Sequence, residues 1–379
     1  MPAATISGVT EIRKRAAENF EARGFPTTRD EEWRFTNVGA IVKAHLPSAT
    51  PNVPGDSLRA AMERHPDLVE EHLGRYASYE ANPFVALNTA NFEDGTFLHF
   101  PANTVVEEPV WIDLTAVPER TTHPRNLIIV GPGSQVRLIE RYTGRGRYFT
   151  NAVTEIVVGE NATVEHVKLE QESPEAFHVA TIQVHQARNS NFKSHNISLG
   201  GLLVRNDVNG VLSTGCEGTL NGLYLVNGKQ HVDNHTALDH AEPYAASHEL
   251  YKGILDGSAS AVFNGKIFVR KDAQKTDAKQ TNKNLVLSEN AVINTKPELQ
   301  ILADDVRCTH GATVGQLDQE ALFYLRARGI DQTDARDLLI YAFARDIIER
   351  IGIASIRTYL EKALFQVLTH SRALAEIAS

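Results

Sequence analysis

A recurrence every 28 residues is the feature that most constrains what this chain can fold into. A small residue followed by an apolar strand start occurs at four equally spaced places, which are Ser134-Gln-Val136, Ala162-Thr-Val164, Ser190-Asn-Phe192 and Gly218-Thr-Leu220. Strand-like runs also begin about half-way between them, at Tyr148, His178 and Asn206. Regular spacing of this length is typical of stacked solenoid coils, and two runs per coil predict two opposing sheets. A β-sandwich with evenly spaced hairpins would give a similar rhythm, so the spacing alone leaves both folds open.

Helical sequence precedes the β-prone region. Val9 to Arg23 has helix-forming residues and closes on Gly24, and a second helical stretch runs from about Asp56 to Leu73. Short β-prone runs punctuated by Gly and Asn begin at Pro83. The pattern loosens after residue 240 and ends at about Gly315. We therefore divide the chain into an N-terminal helical region (1–82), a β core (83–315) and a C-terminal helical region (316–379).

The C-terminal region reads as three helices. Asp318 to Arg328 ends at Gly329, and a last helix is expected from about Ala354 to Ala373. Between them Thr333 can N-cap a helix. The apolar residues expected along that helix are Leu338, Leu339, Ala342 and Ile347. Such a tail could cover the open end of a solenoid or offer an apolar face to a partner, and periodicity does not separate the two.

Composition excludes several classes of partner. The 379 residues carry a formal net charge of −9 and lack a dense Lys/Arg block, so nucleic-acid binding is not expected. Two cysteines are too few for a disulfide framework, and the start Met-Pro-Ala-Ala-Thr does not resemble a secretory signal. No apolar stretch approaches the ~18 residues that span a bilayer. These features predict a cytoplasmic protein without a membrane span.

Cys308 and His310 are the only thiol–imidazole pair at close spacing. In an extended strand, positions i and i+2 project to the same side, so both could face one metal. Iron–sulfur clusters generally need four ligands, so the others would come from another chain. The alternative is a small buried cysteine beside a surface histidine.

Other candidate functional sites have weaker support in the sequence. Eight of the fifteen histidines lie between His166 and His248, but Gly and Asn around His231 and His235 indicate strands and turns, so we do not expect a zinc site. A Walker A motif is absent from the sequence, so ATP binding through a P-loop is not expected. Cys216 has no neighbouring histidine or basic cluster in sequence and reads as structural.

The run Lys296-Pro-Glu-Leu-Gln-Ile-Leu-Ala-Asp-Asp-Val-Arg-Cys-Thr-His-Gly-Ala-Thr-Val-Gly315 resembles the shared signature of the SufB/SufD family, which comprises scaffold subunits for SUF iron–sulfur cluster assembly. Further resembling segments, in family order, are Gln230-His-Val-Asp-Asn-His-Thr-Ala-Leu-Asp-His240, Glu249-Leu-Tyr-Lys-Gly253, Phe263-Asn-Gly-Lys266 and Asp272-Ala-Gln-Lys-Thr-Asp277. The length, the segment Glu32-Trp-Arg-Phe-Thr36 and the asparagine–histidine motif of residues 230–240 resemble the SufD branch of the family, not the longer SufB branch.

The resemblance implies a mainly β fold, with a right-handed parallel β-helix core between N- and C-terminal helical regions. It implies pairing with a SufB-type subunit through the β-helix and docking of the ABC-type ATPase SufC by the C-terminal helices. Cys308 and His310 match positions at the subunit junction where a nascent iron–sulfur cluster is held, with His310 the stronger metal-ligand candidate. Some family members bind a reduced flavin, to which no residue here is assigned.

Three alternatives stay open. The chain could be a passive structural partner that leaves Cys308 and His310 inert, or it could form a homodimeric scaffold. A carbohydrate-active β-helix enzyme would need acidic and basic side chains gathered in one groove, and the sequence lacks such a repeated cluster. We therefore expect a non-catalytic scaffold subunit, with ATP hydrolysed by the SufC partner.

Overall fold

The computed structural model describes residues 7–53 and 55–367. The helices are α1 (Ser7–Arg23), α2 (Gly39–Ala44), α3 (Leu58–Arg64), α4 (Pro66–His72), α5 (Pro83–Asn91), α6 (Gln319–Ala327), α7 (Gln332–Ile348) and α8 (Ala354–Val367), with a 3-10 turn at Glu31–Trp33. The strands are β1 (Phe97–Phe100), β2 (Val110–Thr115), β3 (Thr121–Thr122), β4 (Arg125–Val130), β5 (Gln135–Thr143), β6 (Phe149–Val158), β7 (Thr163–Gln171), β8 (Phe177–Gln186), β9 (Asn191–Ser198), β10 (Leu203–Leu212), β11 (Glu217–Val226), β12 (His231–His240), β13 (Ala246–Leu255), β14 (Ser260–Val269), β15 (Asp277–Val286), β16 (Val292–Ile301) and β17 (Arg307–Gly315).

The strands form two parallel sheets that face each other across a filled lumen. Sheet A runs β1-β4-β6-β8-β10-β12-β14-β16, with β3 also on β6, and sheet B runs β17-β15-β13-β11-β9-β7-β5-β2. Successive strands alternate between the sheets through most of the chain, which gives a parallel β-solenoid of about eight turns. The predicted mainly β solenoid with helices on both sides in sequence is confirmed.

The 28-residue repeat is the true register for the early coils. Gln135 pairs with Thr163, and Thr163 pairs with Asn191. The next coil is two residues shorter, because Asn191 pairs with Glu217. The fourth sequence match at Gly218 was therefore wrong by two residues, and Cys216 is the structural equivalent of Ser190.

The missing two residues come from the connection between β9 and β10. A Cβ atom on Gly200 would lie 2.2 Å from the carbonyl oxygen of Glu172, and Gly201 has a φ of +87°. Glycine is needed at both positions, first for close backbone approach and then for a left-handed conformation. The tight connection also explains why β10 begins at Leu203, before the expected Asn206.

Small buried residues stack at the corner that precedes strands β5, β7, β9, β11 and β13 of sheet B. The register aligns Ser134, Ala162, Ser190, Cys216 and Ala245 in this position. All five are almost completely buried. Tight packing at a corner admits only small side chains, so the repeat motif is a packing requirement of the solenoid.

The N-terminal helices cover the outer face of sheet A. Leu58, Val69 and Leu73 form an apolar cluster with Leu127 and Ile129 of β4. The expected helix ending at Gly24 is confirmed. The expected stretch from Asp56 to Leu73 is two helices, because Pro66 begins a second one.

The expectation of β structure from Pro83 was wrong for its first nine residues. They form α5, with Pro83 at the first helical position and the Asn82 side chain accepting hydrogen bonds from the backbone N–H groups of Phe84 and Val85. Asparagine before proline is a strong helix start, and the β-prone composition of the segment hid it.

Helices α7 and α8 pack on the outer face of sheet B, and not on the open end of the solenoid. Ile340, Ile347 and Ile351 form an apolar cluster with sheet B residues such as Val167 and Ile254. Apolar side chains on the outward positions of successive strands create this surface, so the helices bury a side of the solenoid.

Details of the C-terminal prediction needed correction. Asp331, and not Thr333, caps α7, since its carboxylate accepts hydrogen bonds from the N–H groups of Thr333 and Asp334. Ala342 is exposed, so the expected apolar face was only partly right. The expected last helix begins at Ala354 as predicted, and its part beyond residue 367 lies outside the described residues. Within the described ranges, every helix is too short or too polar to cross a membrane.

Candidate metal centre at the last strand

Strand β17 carries both candidate ligands. It ends the path of sheet B, and within the described chain it pairs only with β15. Cys308 is the register partner of Ala278, and His310 is the partner of Gln280. Ala278 and Gln280 are buried and face the lumen, so Cys308 and His310 continue the lumen-facing columns at the end of the solenoid. The structure therefore places the two side chains on one face, as the i, i+2 spacing predicts.

The two side chains differ in exposure. Cys308 is half-buried against an apolar group that includes Val269, Ala273 and Ala303. Burial raises the pKa of its thiol, with the Asp277 charge acting in the same direction. His310 is exposed. A thiol in this setting stays protonated at neutral pH until a metal displaces the proton.

This pair is not a complete metal site. Within residues 7–53 and 55–367, there is no group of three or more His, Cys, Asp or Glu side chains placed to hold a metal ion. Iron–sulfur clusters and structural metal ions generally take four protein ligands. A thiol and an imidazole at this edge can therefore supply part of a ligand set and need further donors from outside the described residues.

Apolar side chains surround this end of the solenoid. Val292 is 52% exposed, Leu302 is 52% exposed and Val314 is 54% exposed. These residues lie on or next to β16 and β17, whose outer edges have no strand partner among the described residues. Edge strands with exposed apolar residues are typical interaction sites.

The lumen contains charged residues that the sequence interpretation missed. The central cluster comprises Lys168, Glu170, Glu172 and His178, all buried. The Lys168 ammonium donates to Glu170, and the His178 ring nitrogen Nδ1 lies 2.8 Å from Glu172 Oε1. Burial alone would raise the pKa of Glu170, but the nearby Lys168 and His178 charges lower it well below its usual range.

A second lumen group lies nearer to β17. The end cluster comprises Thr236, Glu249 and Gln280. Glu249 Oε2 accepts hydrogen bonds from Thr236 Oγ1 at 2.7 Å and from Gln280 Nε2 at 3.1 Å. Burial raises the pKa of Glu249 to about 7, because these two neutral donors only partly offset the loss of water.

The segment from Glu31 to Thr36 clamps the outer face of sheet A. Its Trp33 is buried beneath the Arg205 guanidinium, 4.1 Å from the ring centre. Glu32 Oε2 lies 3.3 Å from His235 Nδ1, and Lys266 donates to the same carboxylate. The hydrogen bond from His235 is the main cause that lowers the pKa of Glu32 to about 2. These contacts account for His235 without a metal.

A cavity of about 480 Å³ lies beside this clamp. Phe35, Lys296 and Asn264 are among its lining residues. Acidic and basic side chains in its wall are paired with each other, as in the ion pair between Glu31 and Lys296 at 2.7 Å. Sequence reasoning did not find this cavity, because its wall combines residues that are far apart in the chain.

The remaining sequence candidates are structural in their contacts. His231 hydrogen-bonds to Thr36 and Ser260 at 2.8 and 2.7 Å, outside the lumen. Cys216 is fully buried, and its Sγ lies 3.0 Å from the Ala187 carbonyl oxygen, which agrees with the structural interpretation. Neither is near β17.

By fold and site, the chain is a parallel β-solenoid protein with an incomplete thiol–imidazole ligand pair at its uncovered end. Residues 113–343 match the family model described as the SUF system FeS cluster assembly SufBD core domain. Residues 42–112 match the SufBD protein N-terminal region. The chain therefore belongs to the SufBD family of the SUF system, and the resemblance seen in the sequence is confirmed.

The chain is similar in sequence to several known proteins along most of its length. The chain is 39% identical to the iron–sulfur cluster assembly protein SufD of Escherichia coli, over 86% of each chain. It is 35% identical to the iron–sulfur cluster assembly SufBD family protein slr0076 of Synechocystis, over 95% of this chain and 92% of that protein. It is 30% identical to the chloroplastic protein ABCI7 of Arabidopsis thaliana, over 91% of this chain.

Proposed function

We propose that the chain is a non-catalytic scaffold subunit of cytoplasmic iron–sulfur cluster assembly. Its end strands pair with a SufB-type subunit, and Cys308 and His310 contribute ligands to a nascent cluster at that junction. The observation that carries this proposal is the position of both side chains on one face of a strand with a free edge. The cluster is cargo, since the described residues offer only part of the ligand set. We assign no residue to a reduced flavin.

The ligand role is tested by replacing both side chains. Cys308→Ala with His310→Ala should leave assembly of the complex unchanged, because Cys308 is only half-buried, His310 is exposed, and both changes leave the β17 backbone intact. Cluster yield on the reconstituted complex should fall several-fold, measured by iron and acid-labile sulfide content. Thr309→Ala and Thr313→Ala on the opposite face of β17 are matched controls. Full cluster yield in the double variant would instead support the passive-partner alternative.

The pairing role predicts a sensitive surface at the end of the solenoid. Val314 is 54% exposed on β17, and a charge there would oppose burial against another subunit. Val314→Glu should therefore prevent pairing with the SufB-type subunit, as measured by intact-complex mass. Val105→Glu, which alters a 62% exposed valine before β2, is the control. A self-complex of the wild-type chain at the same surface would favour the homodimeric scaffold.

The C-terminal helices are proposed to dock the ABC-type ATPase SufC. Helix α6 has no buried residue, and its Phe323 and Tyr324 are 74% and 56% exposed. Such an apolar pair on a helix that does not pack into the core is suited to a partner. By contrast, α7 and α8 are held on sheet B, so α6 carries the free surface.

Point changes in α6 test docking better than deleting the whole tail. Removing the residues after Gly315 would uncover the apolar face of sheet B and confuse lost docking with lost stability. Phe323→Ser with Tyr324→Ser should abolish ATPase capture in a pull-down while sparing pairing through β17. Tyr359→Ser on α8, where the tyrosine is 37% exposed, is the control. Undiminished capture by the α6 variant would refute this docking surface.

A further inference from the structure

Three residues of successive strands form one column that ends at the candidate site. Glu249 of β13 is the register partner of Gln280 of β15, and Gln280 is the partner of His310 of β17. Register partners in a parallel sheet project from the same face, and neighbouring strands lie about 4.8 Å apart. The imidazole is therefore the next side chain beyond the Gln280 amide.

Of the two polar atoms of the Gln280 amide, only the nitrogen has a hydrogen-bond partner within the described chain. Its Nε2 donates to Glu249 Oε2 at 3.1 Å, while its Oε1 is buried and has no hydrogen-bond partner within the described chain. The same Glu249 oxygen accepts from Thr236 Oγ1 at 2.7 Å. While the Glu249 carboxyl is ionised, reversing the amide would place its oxygen against this carboxylate oxygen, so the ionised end cluster fixes the orientation of the amide. Buried acceptors are rarely left unpaired without a reason.

The Gln280 amide packs directly against the backbone of Gly265. A Cβ atom on Gly265 of β14 would lie 2.1 Å from Gln280 Nε2 and 3.0 Å from Gln280 Oε1. Any side chain at position 265 would displace the amide. The lumen next to the candidate site is therefore shaped around Gln280.

We propose that Gln280 is a positioning residue for His310. Its unpaired Oε1 accepts a hydrogen bond from one ring N–H of His310, which leaves the other ring nitrogen free to bind a metal. His310 is exposed and makes no bond to Gln280 in the described chain, so the contact forms when the imidazole turns over the lumen at an assembled junction. Metal-bound histidines almost always donate their second ring N–H to such an acceptor, which fixes the ring.

Glu249 acts on His310 indirectly, through Gln280. Because its carboxyl oxygen receives the Gln280 N–H, it holds the amide with Oε1 available to the histidine. This role rests on the proposed function of His310 as a ligand, and it adds two residues, Gln280 and Glu249, that bear on that ligand without touching the metal.

The test measures Fe²⁺ affinity of the complex assembled with the SufB-type subunit, by equilibrium titration under anaerobic conditions. Gln280→Leu should weaken binding about 10- to 100-fold, the usual effect of removing such a partner. The exchange Glu249→Gln with Gln280→Glu restores an acceptor beside His310 and should recover most of the affinity. Gln186→Leu removes an amide that is equally buried elsewhere in the lumen and should leave the affinity unchanged.

A second readout does not depend on affinity. With Zn²⁺ as a diamagnetic probe, ¹⁵N NMR of the His310 ring should show one metal-bound nitrogen in the wild type and a mixture of both in Gln280→Leu. A wild-type spectrum and unchanged affinity in Gln280→Leu would overturn the positioning role alone. If His310→Ala also leaves Fe²⁺ affinity unchanged, the ligand role and the positioning role both fail. Unfolding temperatures of all variants identify any that are merely destabilised.

Discussion

The central cluster and the end cluster both place polar side chains in the lumen, but only the central cluster satisfies them completely. Lys168, Glu170 and His178 hydrogen-bond to one another, and none of their polar atoms is left unpaired. In the end cluster, Glu249 Oε1 and Gln280 Oε1 have no partner within the described residues. The central cluster is therefore satisfied among the described residues, whereas the end cluster keeps an unpaired acceptor on Gln280 next to β17, as the proposed positioning of His310 requires.

The largest change in stability that tests this comparison is expected from a substitution in the central cluster. Lys168→Met removes the ammonium and leaves the Glu170 carboxylate buried without its main counter-charge. We expect a loss of about 3–5 kcal/mol in the free energy of unfolding, measured by urea denaturation. Adding Glu170→Gln should recover part of it, because the unpaired charge is then gone. A loss below about 1 kcal/mol would show that the central cluster is not held by its charges.

The sequence predicted the solenoid fold better than it predicted which side chains fill the lumen. The 28-residue spacing and the corner residues are local signals, and both survive in the register of β5, β7 and β9. The sequence analysis missed the charged residues of the lumen, because the alternation of side chains along a strand separates two faces but does not indicate which face lies inside the solenoid. Glu140 and Lys168 also stand 28 residues apart and are register partners, so reading columns across coils would have suggested a shared face.

The candidate site was only partly visible in the sequence. Cys308 and His310 were found by their residue types and spacing, and their position on a free edge needed the fold. Gln280 and Glu249 carried no motif, because an amide and a carboxyl become a pair only when separate coils stack. The two-residue shortening between β9 and β10 shows the limit of period counting, since one tight Gly200–Gly201 connection shifts every later position.

The next largest effect is the pH dependence of the free energy of unfolding that Glu249 in the end cluster should cause. The pKa of Glu249 is about 7 in the fold and near 4.5 in an unfolded chain. Between these values the folded state retains a proton that the unfolded state has released, so stability falls as pH rises, and the contribution is constant above about pH 7. The cost reaches about 3 kcal/mol.

Glu249→Gln removes this titration and isolates its effect. The variant should gain stability relative to the wild type as pH rises from 4.5 to 7, with little difference at pH 4, measured by urea denaturation across that range. Glu289→Gln, which alters an exposed carboxylate at the turn before β16, is the control. A constant difference across the pH range would show that Glu249 does not exchange its proton within this window.

The contrast between a filled middle and an open end extends to the two cysteines. Cys216 occupies a corner where the equivalent residues of the neighbouring coils, Ser190 and Ala245, are small and buried, so Cys216→Leu should overpack it and cost about 1–3 kcal/mol. Cys308→Leu lies at the half-covered end, where the added atoms can extend into solvent, and should cost less than Cys216→Leu. Denaturation midpoints of the two variants test this order, and equal losses would mean that the end is packed as tightly as the middle.

The smallest expected effect comes from an ion pair next to the same open end. Lys275 and Asp305 form a salt bridge between the turns before β15 and β17, but both side chains are more than half exposed. Water screens such a pair, and holding two long side chains together costs conformational entropy, so Lys275→Ala should change the free energy of unfolding by no more than about 0.5 kcal/mol. A loss comparable to that of Lys168→Met would mean that charge pairing matters equally inside and outside the lumen. The comparison would then rest on hydrogen-bond satisfaction alone, with burial adding nothing.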